Sequence, residues 1–183
     1  LAWARAGGRQ ASGMGIEIER KFRVQGQAWR AASERVQPML QGYLDGTAAT
    51  AHGPGKASVR VRIEGEQAFL NLKSRQSGPL RQEFEYPIPL ADARALLPLC
   101  SGGLVEKNRH YLHHQGHLWE VDEFLGDNAG LVVAEIELGA VDEAFARPGW
   151  LGAEVTDQPR YYNLALASHP YTQWPATQRH DPD

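Results

Sequence analysis

Cysteine is nearly missing from this chain: Cys100 is the only one in 183 residues. One thiol cannot make an intrachain disulfide, which fits a reducing, cytoplasmic setting, and it excludes zinc modules built on several cysteines. No apolar run approaches the roughly 18 residues that a membrane-spanning helix needs, so no membrane partner is expected. Positive charge is not in excess either. Nineteen Lys and Arg stand against 22 Asp and Glu, a formal net charge of −3, and bulk basic character that would attract nucleic acid is absent. The length suits one domain with tails and is enough to bury a core.

Residues 1–13 are rich in Ala, Gly, Arg and Gln and lack the apolar centre of a signal peptide. They are expected to be a disordered leader before a single domain over 14–175, with a flexible polar tail over 176–183.

What the chain does have is alternation. In a strand, successive side chains point to opposite faces. Over 17–22 this puts Glu17, Glu19 and Lys21 on one face and Ile18 and Phe22 on the other. Residues 57–64 set Arg60 and Arg62 against Val59, Val61 and Ile63, and Gly65-Glu66 turns the chain back into 68–73, which carries Lys73. Residues 80–88 carry Arg81, Glu83 and Glu85 on one face. Residues 104–114 carry Lys107, Arg109 and Tyr111, and the Gln115-Gly116 turn leads into 117–124 with Glu120 and Asp122. Residues 131–138 carry Glu135 and Glu137. A further strand is predicted over 39–45. Helical spacing predicts short helices at 29–36, ended by Pro38, at 90–97, and at 159–167, with Pro159 at its first turn. The fold class is α+β, mainly β: about eight strands joined by hairpins, expected to close into an eight-stranded antiparallel barrel.

An amphipathic sheet usually turns its polar face to water. Such a face mixes polar types and pairs opposite charges across strands. Here like charges recur two residues apart: Glu17 and Glu19, Arg60 and Arg62, Lys107 and Arg109, Glu120 and Asp122, Glu135 and Glu137. They repel unless something neutralises them. Acidic strands suit hard divalent cations held through oxygen, and basic strands suit a polyanion. Together they fit a metal–polyphosphate complex inside a charge-lined barrel.

The ordered series resembles the CYTH family, the triphosphate tunnel metalloenzymes, whose hallmark is an N-terminal E-x-E-x-K strand. That motif stands here as Glu17-x-Glu19-x-Lys21. Arg60-x-Arg62, Leu72-Lys73, Arg81-x-Glu83-x-Glu85, Lys107-x-Arg109, Glu120-x-Asp122 and Glu135-x-Glu137 follow in order. The resemblance implies an eight-stranded tunnel with a C-terminal helix near one mouth. It implies that Glu17, Glu19, Asp122, Glu135 and Glu137 bind one or two Mg2+ or Mn2+ ions. Lys21, Arg60, Arg62, Lys73, Arg81, Lys107 and Arg109 would bind the triphosphate, with Glu83, Glu85 and Glu120 as supporting tunnel residues. Tyr43 stands where similar bacterial members carry a tyrosine, and it joins Glu17, Glu19 and Lys21 as a candidate catalytic group. The implied reaction is hydrolysis of inorganic triphosphate to diphosphate and phosphate. Alternatives are a class IV-type adenylyl cyclase, a thiamine or nucleoside triphosphatase, and a non-catalytic polyphosphate-binding module. An outward apolar sheet face could support a homodimer.

Other signals weigh less. His110, His113, His114 and His117 crowd one hairpin, but strand parity divides them between faces, so exposed hairpin histidines are expected rather than zinc ligands. Gly53-Pro54-Gly55-Lys56 lacks the first glycine and the Ser/Thr of a phosphate-binding loop. Cys100, Trp119 and Phe124 are read as packing residues.

Overall fold

The computed structural model describes residues 15–44, 56–74 and 80–179; the side chains of residues 15, 16, 80 and 81 lie outside that description. The proposed leader, the Gly53-Pro54-Gly55 segment and residues 180–183 fall outside it as well.

The strands are β1 (Gly15–Val24), β2 (Arg35–Tyr43), β3 (Ala57–Glu64), β4 (Gln67–Ser74), β5 (Leu80–Pro87), β6 (Ser101–His114), β7 (His117–Phe124), β8 (Val132–Glu137) and β9 (Leu151–Glu154). Among the described residues nine strands, not eight, form one antiparallel sheet in the order β5-β4-β3-β2-β6-β7-β8-β1-β9, and the expected closed eight-stranded barrel is corrected accordingly. The reason lies in β1, which is shared among three neighbours. Gly15–Ile18 meets β5, Glu19–Arg23 meets β8, and Phe22 and Val24 meet β9 across a register shift. The seam between β1 and β5 therefore runs over four residue pairs, and β9 takes the other end of β1. The sheet is nevertheless strongly curved around its charged face. Lys73 of β4 reaches Glu17 of β1 across β5, and Arg109 of β6 reaches Glu135 of β8 across β7.

Hairpin chemistry explains the tight connections. Gln115 and Gly116 have φ of 45° and 89°, the paired positive φ of the turn that matches strand twist. The helix predicted over 29–36 is not formed. A 3-10 turn covers Ala28–Ala32, with Trp29 its only buried residue, and β2 starts at Arg35. Pro38 lies within β2 and ends nothing. It precedes Met39, where pairing with β3 begins, so on that side it occupies an unpaired edge, where a missing N–H costs little. The last helix is also divided. A 3-10 turn at Pro159–Tyr161 gives way to extended Tyr162, and α2 (Asn163–Ser168) follows; α1 (Leu90–Leu96) precedes both, and α3 (Ala176–Arg179) ends the described chain. Tyr162 donates its hydroxyl to the Thr156 carbonyl at 2.6 Å, which holds the break in place.

Three apolar clusters support the sheet. On the outer face, Phe22, Leu112, Trp119, Val121 and Ile136 pack with Trp29 and Trp150. Val61 and Ala68 pack beneath Ala93 and Leu97 of the α1 region, with Cys100 beside them. The third cluster lies on the charged face itself. Tyr43, Val105, Phe124 and Val133 share strand parity with the charged residues and pack against Leu166, Ala167 and Trp174. One end of the concave face is thus an apolar floor closed by the C-terminal segments. Gly102, at φ +75°, makes this docking possible, since a Cβ there would stand 2.9 Å from the Ala167 carbonyl oxygen.

Candidate active site

Above that floor, the register brings like charges face to face. Glu19 is the direct partner of Glu137, and Glu120 of Glu135. Opposed like charges destabilise a sheet, so their position needs compensating cations. Lys21 supplies one: its ammonium pairs with Glu135 and lies 3.4 Å from Glu19. Arg109 supplies the other. Its guanidinium donates to Asp122 through Nε (2.7 Å) and Nη2 (2.6 Å), to Glu135 at 2.6 Å, and to Glu120. Lys107 donates at 2.5 Å to Asp122 Oδ2, the oxygen that also accepts from Arg109 Nη2.

A second cluster lies on β3, β4 and β5. Lys73 sits 2.8 Å from Glu17 and 3.1 Å from Glu83. Arg62 donates to Glu85 at 2.8 Å and contacts Glu64, and Arg60 reaches Glu83 at 3.5 Å. Asn71, fully buried, links them: its Nδ2 donates to Glu83 and Glu85, and its Oδ1 accepts from Arg60. Asn71 and the equally buried Gln41 were not among the residues expected here. Alternation places both on the charged face, but neutral amides do not stand out in a search for charge.

Burial and charge set the protonation of these groups. Burial pushes the Glu17 carboxyl up to about 7, and the nearby Glu19 and Glu83 carboxylates add to this against the pull of Lys73. For Glu83, burial also works upward, but Lys73 and Arg60 prevail and hold it at about 2. Burial opposes charge on Glu135 too; Lys21 and Arg109 overcome it and keep that carboxylate well below its usual range. Burial lowers the Lys107 ammonium to about 8, and the adjacent Arg109 lowers it further. Lys21 is raised: burial acts downward, but Glu135 and Glu19 outweigh it.

The Glu17 shift carries a prediction. A carboxyl whose folded pKa is raised destabilises the fold as pH climbs from its unfolded value of 4.5 through 7. In metal-free buffer, Glu17→Gln is therefore expected to raise Tm at pH 8 and to leave it nearly unchanged at pH 4, as read by thermal melts at both values.

A cavity of about 340 Å³ opens at this acidic end, lined by Glu17, Glu19, Glu120, Glu135, Glu137 and Leu118. Its oxygen donors are of the class that hard divalent cations prefer. Among the described residues, though, no three His, Cys, Asp or Glu side chains are gathered as a formed metal site, because Lys21 and Arg109 hold Glu135 and Arg109 holds Glu120. Asp122, expected with the metal ligands, is wholly buried between Lys107 and Arg109 and is not part of the cavity lining. Tyr43 lies at the opposite, apolar end with its hydroxyl near Arg60 and Lys73. Arg81 is the β-partner of Glu17, and its side chain lies outside the described set.

The hairpin histidines do not share a point. His110 meets Ser33 and the Trp29 ring, His113 meets Glu34, and His117 meets Glu143. Trp119 and Phe124 belong to the packed clusters.

Residues 15–169 match the family model described as CYTH domain. An inorganic triphosphatase of Acetivibrio thermocellus is 42% identical over 159 residues, covering 86% of this chain and 97% of that protein. One from Nitrosomonas europaea is 38% identical over 154 residues, covering 82% and 96%. A crystal structure of an inorganic triphosphatase superposes with a TM-score of 0.59 at 36% identity, covering 82% of this chain and 93% of the other. A curved antiparallel sheet with opposed carboxylates at one end and buried arginines and lysines behind them is thus accompanied by sequence identity along most of its length, and the chain belongs to the CYTH domain family.

Proposed function

We propose that this protein hydrolyses inorganic triphosphate to diphosphate and phosphate on the concave face of its sheet. One observation carries the reading: the opposed pairs Glu19/Glu137 and Glu120/Glu135 border a cavity whose lining carboxylates are paired to Lys21, Lys73 and Arg109. An acidic wall beside a basic one suits a metal-bound polyphosphate.

Lys21, Arg60, Arg62, Lys73, Arg81, Lys107 and Arg109 are the triphosphate-binding groups in this reading. The arginines offer forked donors to phosphate oxygens and the lysines compact charges. Each of the described cations already holds a carboxylate. A triphosphate competes for them, and the carboxylates it displaces become available as oxygen ligands. Glu17, Glu19, Glu135 and Glu137 at the cavity, with Asp122 behind them, would hold one or two Mg2+ or Mn2+ ions. Bound there, the metal supplies charge neutralisation at the phosphate oxygens and a water of lowered pKa. Glu83, Glu85 and Asn71 keep Arg60, Arg62 and Lys73 in place. Lys21, kept protonated by its carboxylates, serves as a phosphate contact rather than a base. Catalysis is mainly positioning and charge stabilisation.

No helix of the described residues is long and apolar enough to cross a membrane. A cytoplasmic site of action belongs to the same reading.

The test is phosphate release with Mg2+ from triphosphate, ATP and thiamine triphosphate in turn. Release from triphosphate supports the proposal. Cyclic AMP with diphosphate from ATP, or tight binding without turnover, contradicts it. Arg62 meets the chain through Glu85 and Glu64 and lies directly opposite Gln41. Its replacement by Ala is expected to raise the KM for triphosphate about tenfold or more, the size of one charge-assisted bond, with a smaller effect on kcat; steady-state kinetics on the variant and the unaltered protein measure this.

A further inference from the structure

Gln41 is an expensive residue where it stands. It is 0% exposed, and its Oε1 is buried without a hydrogen-bond partner. A buried acceptor left unpaired costs stability, and Met or Leu would fill the same space without that cost. The other amide atom is engaged, because Nε2 donates to the Tyr43 hydroxyl oxygen at 3.2 Å. Both residues lie on the charged face of β2, Gln41 opposite Arg62 and Tyr43 opposite Arg60.

A phenol has one proton to give and an oxygen that accepts. The Tyr43 oxygen receives the Gln41 amide and has the Arg60 guanidinium, also a donor, beside it. Lys73 and Lys21 act on it as well, and a cation accepts nothing. Among the described residues, no acceptor takes the Tyr43 proton. Burial raises the phenol above its ordinary pKa, so the proton is retained at neutral pH.

We propose that Gln41 is a positioning residue: by donating to the Tyr43 oxygen it turns the Tyr43 O–H toward the cations of the concave face, where it donates to a non-bridging oxygen of the bound phosphate chain. This rests on the reading of the chamber as a triphosphate site. Tyr43 then gives a neutral donor beside a wall of cations. It contributes direction without further charge, at the end of the chamber next to the apolar floor.

The test is a double-mutant cycle on triphosphate hydrolysis with Tyr43→Phe, Gln41→Met and the double variant, each checked by thermal melting. Tyr43→Phe is expected to lower kcat/KM about tenfold, the size of one hydrogen bond to a charged group, and Gln41→Met by a similar factor. The double variant should be no worse than Tyr43→Phe alone, because the two residues act as one donor. A merely structural role for Gln41 would make the losses multiply, and that result overturns the proposal. So does full activity in Tyr43→Phe. Gln41→Glu keeps an acceptor and removes the N–H donor; unchanged activity in it would show that Gln41 accepts from Tyr43, which also overturns the proposal. Should Gln41→Met fail to fold, the same cycle is run with Gln41→Glu. If the unaltered protein releases no phosphate from triphosphate, the functional reading itself has failed, a result distinct from every arm of the cycle.

Discussion

Glu19→Gln is expected to lower metal-dependent triphosphate hydrolysis by about 10²–10³-fold or more, the loss typical of removing one group that stabilises transition-state charge. Glu19 faces Glu137 across the β1–β8 ladder and lines the acidic cavity. The amide keeps the shape of the side chain and removes its charge, so the opposed pair no longer demands a cation. Folding should survive the change, because repulsion within the pair is relieved while Lys21 keeps its contact with Glu135. Steady-state rates over a Mg2+ titration, together with a thermal melt, check both halves. Unchanged turnover in a folded variant would remove Glu19 from the site.

Arg109→Ala is expected to have the largest effect on stability. Arg109 is 4% exposed and donates to Glu120, Asp122 and Glu135. Without it Asp122 keeps only Lys107, whose ammonium burial already weakens, and Glu120 faces Glu135 with no arginine between them. Removing one partner from a buried ion-pair network typically costs about 3–5 kcal/mol. Chemical denaturation should give a loss of that order, and it should shrink toward low pH. The sign follows from Glu135, whose folded pKa is depressed. Its contribution is present above the unfolded value of 4.5 and disappears as pH falls through the folded one. A loss that is equally large at low pH would mean that Arg109 acts through packing and not through these carboxylates.

Much of this was legible in the chain because strand alternation is a strict code. The parity of Glu17, Glu19 and Lys21, of Arg60 and Arg62, and of Lys107 and Arg109 specifies which residues share the concave face. β3 and β7 fall at the predicted bounds because glycine-containing turns fix their ends. What alternation cannot show is pairing between distant strands. β9 is four residues long and is stabilised by meeting β1 at its irregular end, where Gly152 comes within reach of the Arg23 backbone. Nothing local announces such a strand, and with it went the simple eight-stranded closure. Trp29, Ala32 and Val36 imitate a helical stripe, yet only Trp29 is buried, against His110, and Val36 is 48% exposed on β2. Tertiary pairing with β6 outweighs that local spacing.

In the site, charge was easy to find and neutrality was not. Asn71 and Gln41 sit among the charged groups and order them, but an amide in an alternating strand looks like any polar residue. Nor does spacing along a strand reveal how charges pair between strands. Asp122 stands in Glu120-x-Asp122, and spacing alone does not show that the fold pairs it with both Lys107 and Arg109. The apolar floor was hidden for a similar reason. Val105, Phe124 and Val133 continue the charged parity of their strands, and only α2 and Trp174 packing onto them explains why they are not charged.

The most direct test is a phosphorus NMR time course of triphosphate with the unaltered protein, in Mg2+ and again after chelation. The predicted result is one phosphate and one diphosphate for each triphosphate consumed, with turnover stopped by the chelator and restored by added metal. Triphosphate that persists unchanged in saturating Mg2+, or that is cleaved equally well in chelator, would contradict the account.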